Sequence, residues 1–159
     1  MVKNSVGIIV SSDRILSKAK ANKSGEIAKD FIKNYGLKIN FSTIVAEGYD
    51  PVDNALRAAL NEGCEIVIII GGTGIGATNF TPEVTEKYLS ARLHGLETQV
   101  LLRGLQSSPK AGLSRGIIGM TEHGGGSLII NCPSSSGAVT DTLSVVFPLL
   151  PDIFRDCTN

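Results

Sequence analysis

The sequence predicts an α/β protein, a three-layer α/β/α sandwich with a mainly parallel sheet and an antiparallel pair near its end. Short apolar runs of the kind that form buried strands, such as residues 6–10 and 65–70, alternate with segments of helical periodicity. This alternation is typical of a parallel sheet covered by helices on both faces. Two later apolar runs, separated by a glycine-rich tip, predict the antiparallel pair.

The composition indicates an ordinary soluble globular protein. Its 159 residues suffice for one domain spanning residues 1–159, and 15 basic residues balance 15 acidic ones, which provides no electrostatic footprint for nucleic acid. No apolar run approaches the ~20 residues that cross a bilayer, and no signal peptide is recognised. We therefore expect a cytoplasmic protein without membrane contact. Cys64, Cys132 and Cys157 form no CxxC pair, so reduced thiols are expected and neither a disulfide nor a zinc site.

The first strand and helix are predicted from an apolar run and its punctuation. Residues 6–10 are mostly β-branched, as in a strand buried on both faces. A long polar loop follows, and Ser24 is the expected N-cap of a helix whose apolar residues share one face. Gly36 is placed where a helix C-terminus favours a left-handed residue.

The second unit has fuller helix punctuation. Residues 38–45 alternate as a strand, and Asp50 before a proline predicts the N-cap of the next helix. Asp53 is a possible capping-box partner, and Gly63 follows the predicted end. The run at residues 65–70 is then the third strand, expected at the centre of the sheet.

The remaining elements are predicted less regularly. Thr81 and the proline after it indicate the N-cap and first residue of a helix running to about Leu89. Residues 90–114 are helix-like but interrupted by glycine and proline, so short helical pieces are expected. Two strands should flank the tip at residues 121–126. A last helix starts near Ser136, and the prolines after residue 147 should end it.

Three loops follow strands at the edge where open α/β sheets bind ligands: residues 11–25, 71–81 and 132–137. The second loop contains Gly71, Gly72, Thr73 and Gly74, whose backbone N–H groups can cradle a phosphate with a hydroxyl as an added donor. Lysines in the first loop lie near the same edge. The alternative for the glycine segment is a tight turn at the sheet edge.

Two familiar phosphate motifs fit this loop poorly. It lacks the Gly-Lys-Ser/Thr ending of a Walker A sequence. Gly72, Gly74 and Ala77 satisfy G-x-G-x-x-A, but that pattern belongs at a first strand and runs directly into a helix. A nucleotide-binding redox protein is therefore kept as a weaker alternative.

Five segments occur in the order and spacing of one known family: SSDR at 11–14, KSG at 23–25, GGTGIGATNFTPE at 71–83, LSR at 113–115 and LIINCPSSSGAV at 128–139. Together they resemble the Mog/MoaB proteins of molybdenum cofactor biosynthesis, which are similar to the gephyrin G domain. The resemblance implies a three-layer α/β sandwich, usually a homotrimer or homohexamer, that works with other molybdenum cofactor synthesis proteins. It also implies binding of molybdopterin, a pterin dithiolene with a terminal phosphate.

The resemblance further implies a reaction and its residues. Active members transfer AMP from Mg²⁺ and ATP to the molybdopterin phosphate. Gly71, Gly72, Thr73 and Gly74 would cradle phosphate, and Ser114 would contact the pterin side. The residues that would border it are Pro133, Ser134, Ser135 and Ser136.

Several positions depart from the family pattern. Asn79, Glu47 and Asn22 stand where active members have Asp, and Ser134 and Ser136 replace a glycine and a proline. Asn at position 79 removes a negative charge that would help to hold Mg²⁺.

The catalytic positions are thus Asn79, Glu47 and Asp13, the last as the remaining carboxylate candidate. Either a molybdopterin adenylyltransferase or a paralogue that binds without efficient turnover is expected. A non-catalytic assembly protein that has kept only the fold is a further alternative.

Overall fold

The computed structural model describes residues 4–158, with residues 156–158 described by their backbone alone. Within this range the strands are β1 Ser5–Ser11, β2 Lys38–Val45, β3 Ile66–Ile70, β4 Ala91–Arg92, β5 Ile118–Glu122 and β6 Gly125–Cys132. The α-helices are α1 Asp13–Leu16, α2 Lys23–Asn34, α3 Tyr49–Asn61, α4 Thr81–Tyr88, α5 His94–Leu105, α6 Ser136–Val146 and α7 Leu150–Thr158. Two 3₁₀ helices cover Pro109–Leu113 and Phe147–Leu149.

The strands form one mixed sheet in the order β2-β1-β3-β6-β5-β4. The first four strands of this order run parallel, with Ile68 of β3 paired between Ile8 and Ile130. Strand β5 is antiparallel to β6, and β4 is antiparallel to β5. The predicted mainly parallel sheet, its central third strand and its antiparallel hairpin are confirmed.

Alternation along the strands divides the core into two layers. Ile66, Ile68 and Ile70 pack with α2, α5, α6 and α7 on one face, whereas Val67 and Ile69 pack with α3 and α4 on the other. All five side chains are buried. The helices therefore cover both faces, which confirms the three-layer sandwich.

The helix starts differ from prediction by one or two residues. Asn22, not Ser24, is the N-cap of α2, and its side chain accepts a hydrogen bond from the Gly25 N–H. Helix α3 begins at Tyr49, so Asp50 lies inside its first turn and is not the N-cap. In α4 the N-cap is Phe80, with no side-chain cap bond. At α2 a second residue with a good capping side chain lies two positions earlier and is the one used, whereas α3 and α4 start without a side-chain cap bond.

Asp53 is likewise not a capping-box residue. Its buried carboxylate accepts hydrogen bonds from Tyr88 and Arg57, at 2.5 Å and 3.0 Å, and pairs with Lys87 at 2.9 Å. The hydrogen bond from Tyr88 is the main cause that lowers the pKa of Asp53. This cluster ties α3 to α4.

The C-terminal half is more continuous than predicted. Helix α5 runs unbroken across both of its glycines, and a short turn at residues 106–108 separates it from the 3₁₀ helix that begins at Pro109. Helix α6 ends at Val146, just before Pro148, as predicted, but after a 3₁₀ turn at Phe147–Leu149 the chain forms a further helix, α7, that the sequence did not predict. Gly36 and Gly63 follow α2 and α3 with positive φ, as predicted.

The helical run Ser136–Arg155 is long and apolar enough to cross a membrane, judged by length and composition alone. Val139, Leu143 and Val146 on this run are buried in the core against the sheet. Core packing accounts for its apolar character.

Candidate functional site

The carboxyl ends of β1, β3 and β6 bring the three predicted loops together. They surround a cavity of about 420 Å³, referred to below as the smaller cavity. Its wall includes Ser11, Gly72, Thr73 and Ser134, with at least one residue from each loop. Parallel strands end at one edge of the sheet, which is why loops far apart in sequence converge here.

Gly71 and Gly72 shape the floor of the glycine loop. Both have positive φ, at 99° and 71°. A Cβ on Gly71 would collide with the Ser11 carbonyl oxygen, and one on Gly72 would collide with the Thr81 hydroxyl. The loop therefore requires glycine for conformation and for its close packing on β1 and α4. Thr81 Oγ1 is buried without a hydrogen-bond partner among residues 4–158.

Thr73 and Ser114 meet at the edge of the smaller cavity. The Ser114 hydroxyl donates to Thr73 Oγ1 at 3.3 Å, and the Arg115 N–H donates to the Thr73 carbonyl at 2.8 Å. Thr73 is 5% exposed. The structure thus brings together two predicted site residues that lie 41 positions apart in sequence.

Arg115 holds the rest of the glycine loop. Its guanidinium donates to the Gly74 and Asn79 carbonyls, each at 2.9 Å, and forms a two-bond pair with Glu83 at 2.6 Å and 3.2 Å. Hydrogen bonding from Arg115 lowers the pKa of Glu83, and that of Arg115 is raised in return. Sequence reasoning missed Arg115 and Glu83. The one indication in the sequence was that Arg115 is the arginine of the LSR segment at 113–115.

The side chain of Asn79 turns back into its own loop. Asn79 Oδ1 accepts a hydrogen bond from the Gly76 N–H at 3.1 Å, and the residue lines the smaller cavity. An aspartate could accept the same hydrogen bond, so this bond does not explain why position 79 has an amide and not a carboxylate.

Glu47 also lines the smaller cavity. Its carboxylate accepts from the Asp13 N–H at 3.2 Å and the Thr78 hydroxyl at 3.1 Å, and its own N–H donates to Asp13 Oδ1 at 3.0 Å. Asp13 does not line the smaller cavity. Of the three predicted catalytic side chains, those of Asn79 and Glu47 therefore share the cavity. Asp13 lies outside it and is hydrogen-bonded to Glu47.

The loop between β6 and α6 forms the third wall. The Ser24 hydroxyl donates to the Ser134 carbonyl at 2.6 Å, and this bond attaches the loop to α2. Ser135 is the N-cap of α6 and accepts from the Ala138 N–H at 3.1 Å. Pro133 and Ser134 line the smaller cavity, while Ser136 is the first residue of α6 and lines neither this cavity nor its neighbour.

A larger cavity of about 910 Å³ adjoins the smaller one. It lies between α5, the 3₁₀ helix Pro109–Leu113 and the start of α6, and Val100, Leu101 and Ile118 supply part of its apolar wall. Ser114, Pro133 and Lys110 belong to the walls of both cavities. The volume is that of a site for a small organic molecule.

Cationic side chains dominate the charge of the smaller cavity. Arg14, Lys20 and Lys110 line it, against the single carboxylate of Glu47. Sequence reasoning placed Lys20 near this edge but did not single out Arg14 or Lys110. A cavity of this charge favours an anionic ligand.

The described residues contain no cluster of three or more His, Cys, Asp or Glu side chains that could hold a metal ion. Cys64 and Cys132 are buried, free thiols. Burial raises the pKa of Cys132 to about 12, so this thiol is not reactive at neutral pH. The side chain of Cys157 lies outside the described residues.

The sequence of this chain matches a known protein family and several of its members. Residues 7–152 match the family model described as a probable molybdopterin binding domain. The molybdopterin adenylyltransferase of Helicobacter pylori strain 26695 is 32% identical over 149 residues, covering 92% of this chain and 83% of that protein.

Solved structures show the same fold. A putative molybdenum cofactor biosynthesis protein from Corynebacterium diphtheriae has a TM-score of 0.91 and 40% identity, with 98% of this chain and 99% of that chain covered. The Mog protein from Mycobacterium ulcerans has a TM-score of 0.87 and 32% identity, with coverages of 98% and 99%. The predicted resemblance is confirmed, and the chain belongs to the Mog/MoaB family of molybdopterin-binding domains.

Proposed function

We propose that this protein acts in molybdenum cofactor biosynthesis by binding molybdopterin and transferring AMP from ATP to its terminal phosphate. The observation that carries the proposal is the pair of adjoining cavities, which share Ser114 and Pro133. The larger one suits an organic ring system, and the smaller one has a glycine loop and cationic walls that suit phosphates. The similar protein from Helicobacter pylori is named for this activity.

The residues divide between the two halves of the ligand. Backbone N–H groups of Gly72 and Gly74, with the Thr73 hydroxyl, cradle phosphate oxygens in the smaller cavity. Gly71 was predicted to share this role, but its N–H donates to the Cys132 carbonyl at 2.9 Å and the residue does not line the cavity. Ser114 and Pro133 border both halves of the ligand, and Ser135 borders the pterin side. Ser134 lies on the phosphate side, and Ser136 starts α6 without lining either cavity. Transfer forms a bond between a molybdopterin phosphate oxygen and the α-phosphorus of ATP and breaks the α–β phosphoanhydride bond, releasing pyrophosphate. Positioning and charge compensation are the contributions that such a reaction needs from a protein.

Mg²⁺ fits the oxygen groups that line the smaller cavity. Glu47 offers a carboxylate and Asn79 an amide carbonyl, and Mg²⁺ in nucleotide sites is commonly held by one or two protein oxygens, substrate phosphates and water. The ion would offset repulsion among the phosphate oxygens. Asp13 acts as a positioning residue, since it holds the backbone of Glu47.

The assay is direct. Purified protein is incubated with molybdopterin and Mg-ATP, and adenylylated pterin and pyrophosphate are measured together. Equal amounts of both products are expected. Absence of both products, with pterin binding intact, would reject adenylyl transfer.

Asn79 favours a second candidate, a paralogue that binds molybdopterin without efficient turnover. The neutral amide leaves Glu47 as the only carboxylate on the wall of the smaller cavity. This candidate predicts tight pterin binding with pyrophosphate release near background. Loss of pterin binding from an intact oligomer would instead indicate an assembly protein, and copurified nicotinamide or flavin would indicate a redox protein.

We also propose the cellular form of the protein. It is a single domain over residues 1–159, cytoplasmic, and a homotrimer or homohexamer that acts with other molybdenum cofactor synthesis proteins. Light scattering of the purified chain tests the oligomeric state.

A further inference from the structure

We propose that Lys110 is a specificity-determining residue, whose ammonium group binds the anionic part of a ligand where the two cavities join. The inference deepens the proposed function and rests on it for the identity of the ligand. Lys110, Ser114 and Pro133 are common to both walls, and Lys110 is the one of the three that carries a charge. A group bound there would touch both halves of a ligand that fills both cavities.

The backbone of Lys110 is held firmly. It lies in the 3₁₀ helix Pro109–Leu113, whose N-cap Ser108 accepts a hydrogen bond from the Lys110 N–H at 3.1 Å. Just beyond the other end of this helix, Ser114 is bonded to Thr73 of the glycine loop. The position of the lysine is therefore fixed relative to the phosphate cradle, which is the condition for a specific contact.

The Lys110 side chain, by contrast, forms no hydrogen bond or ion pair with the described residues. No carboxylate or other acceptor contacts Lys110 Nζ within the part of the chain whose side chains the structure describes, residues 4–155. The other Arg, Asp and Glu side chains on the wall of the larger cavity all have ion-pair partners: Arg92 with Glu97, Arg115 with Glu83, and Asp141 with Arg103. Lys110 is thus the available cation at this junction.

Charge elsewhere in the smaller cavity supports an anionic occupant. Arg14 and Lys20 stand on the wall formed by the first loop, and Glu47 is the single acid. An excess of positive charge in a partly enclosed cavity raises the affinity for polyanions. The ligand chemistry is therefore a phosphate monoester or a diphosphate, with an uncharged ring system extending into the larger cavity.

Calorimetric titration of the full chain with inorganic pyrophosphate, at low ionic strength and without divalent cations, tests the inference. Lys110→Met keeps most of the aliphatic stem and is expected to weaken binding by about tenfold or more, as for loss of a hydrogen bond to a charged group. Lys110→Arg should retain most of the affinity. Lys33→Met removes the same charge at the exposed end of α2 and should bind like the wild type.

A second titration addresses the junction itself. 6-Hydroxymethylpterin diphosphate should bind more tightly than either pyrophosphate or 6-hydroxymethylpterin, and Lys110→Met should weaken the diphosphate compound without affecting the uncharged pterin.

The inference is overturned if wild type and Lys110→Met bind pyrophosphate equally, if the wild type binds none, or if the pterin itself loses affinity. Its outcome is separate from that of the proposed function. If pyrophosphate binding depends on Lys110 but the protein transfers no AMP, only the proposed reaction is rejected. If the protein transfers AMP but Lys110→Met binds pyrophosphate as tightly as the wild type, only the role of Lys110 is rejected.

Discussion

Arg115 and Glu83 form a two-bond ion pair, with distances of 2.6 Å and 3.2 Å, that links the segment just after the 3₁₀ helix Pro109–Leu113 to the first turn of α4. The same guanidinium also binds two carbonyls of the glycine loop. A loop rich in glycine has high conformational entropy when free. The pair therefore acts as the main side-chain restraint on a loop that contributes few side chains of its own.

Replacing Arg115 should loosen the loop. Arg115→Met leaves the Gly74 and Asn79 carbonyls without their donor, and we expect a loss of about 2 kcal/mol in the free energy of unfolding, together with weaker pyrophosphate binding. Urea denaturation and calorimetry measure the two effects. Lys29→Met breaks an exposed pair within α2 and should cost under about 0.5 kcal/mol with no change in affinity. Equal losses of stability and affinity in the two variants would contradict the role of Arg115 in restraining the glycine loop.

Gly72→Ala should disturb the floor of the cradle. The positive φ and the contact with the Thr81 hydroxyl make us expect a loss of about 2 kcal/mol or more in unfolding free energy. Gly95 lies in α5, and a Cβ added there would meet no atom within 4 Å, so Gly95→Ala should raise stability by roughly 0.5 kcal/mol. Thermal unfolding of both variants compares strained and unstrained positions. A tolerated Gly72→Ala would show that the loop relaxes freely.

Asn79→Asp restores the carboxylate at the centre of the loop. The Gly76 N–H bond is compatible with either side chain, so the fold should be unaffected. If the missing charge limits Mg²⁺ binding, pyrophosphate release from Mg-ATP and molybdopterin should rise. Asn54→Asp adds the same charge on the exposed face of α3 as a control. A rate that does not change would remove the explanation based on charge.

Ser24→Ala tests the attachment of the third loop. It removes the 2.6 Å bond to the Ser134 carbonyl, and we expect a loss of about 1 kcal/mol in stability, together with weaker pyrophosphate binding. Ser17→Ala removes an exposed hydroxyl bonded to the Arg14 carbonyl and should change neither quantity appreciably. Unaltered affinity in Ser24→Ala would mean that the loop keeps its place without this bond.

Acid should weaken the fold through Asp53 and Glu83. The pKa of each is lowered in the folded state from ordinary values of 3.8 and 4.5, mainly by hydrogen bonds from Tyr88 and Arg115. A lowered folded pKa stabilises the protein above the unfolded pKa, and this contribution is lost as pH falls through the folded pKa. We therefore expect stability to decline below about pH 4.5.

Asp53→Asn tests the contribution of Asp53, which is the buried one of these two carboxylates. It should cost about 1 to 3 kcal/mol at pH 7 and flatten the acid limb of the stability profile. Asp152→Asn, in an exposed pair of α7, should leave both unchanged. Urea denaturation from pH 7 to pH 2.5 provides the comparison. An acid limb of unchanged slope in Asp53→Asn would contradict the assignment.

The strands and the glycine loop could be predicted because their signals are local. Buried parallel strands appear as continuous apolar runs, and β2 was predicted with the bounds that the structure shows. Helix starts were less accurate, as at Ser24 and Asp50, since several capping residues lie close together and tertiary contacts select among them.

The sequence by itself determined the α/β fold, the family and the edge of the sheet at which the candidate site lies. Only the tertiary structure decided which side chains meet there. Ser24 contacts Ser134, which is 110 positions away in sequence, and Arg115 contacts Glu83, which is 32 positions away. Hydrophobic periodicity and helix-capping patterns do not extend over such separations in sequence. Lys110 likewise gains its place at the junction of two cavities from the folding of α5, α6 and the glycine loop around it. Local patterns specify elements, whereas pairings between distant loops follow from how the sheet orders its strands.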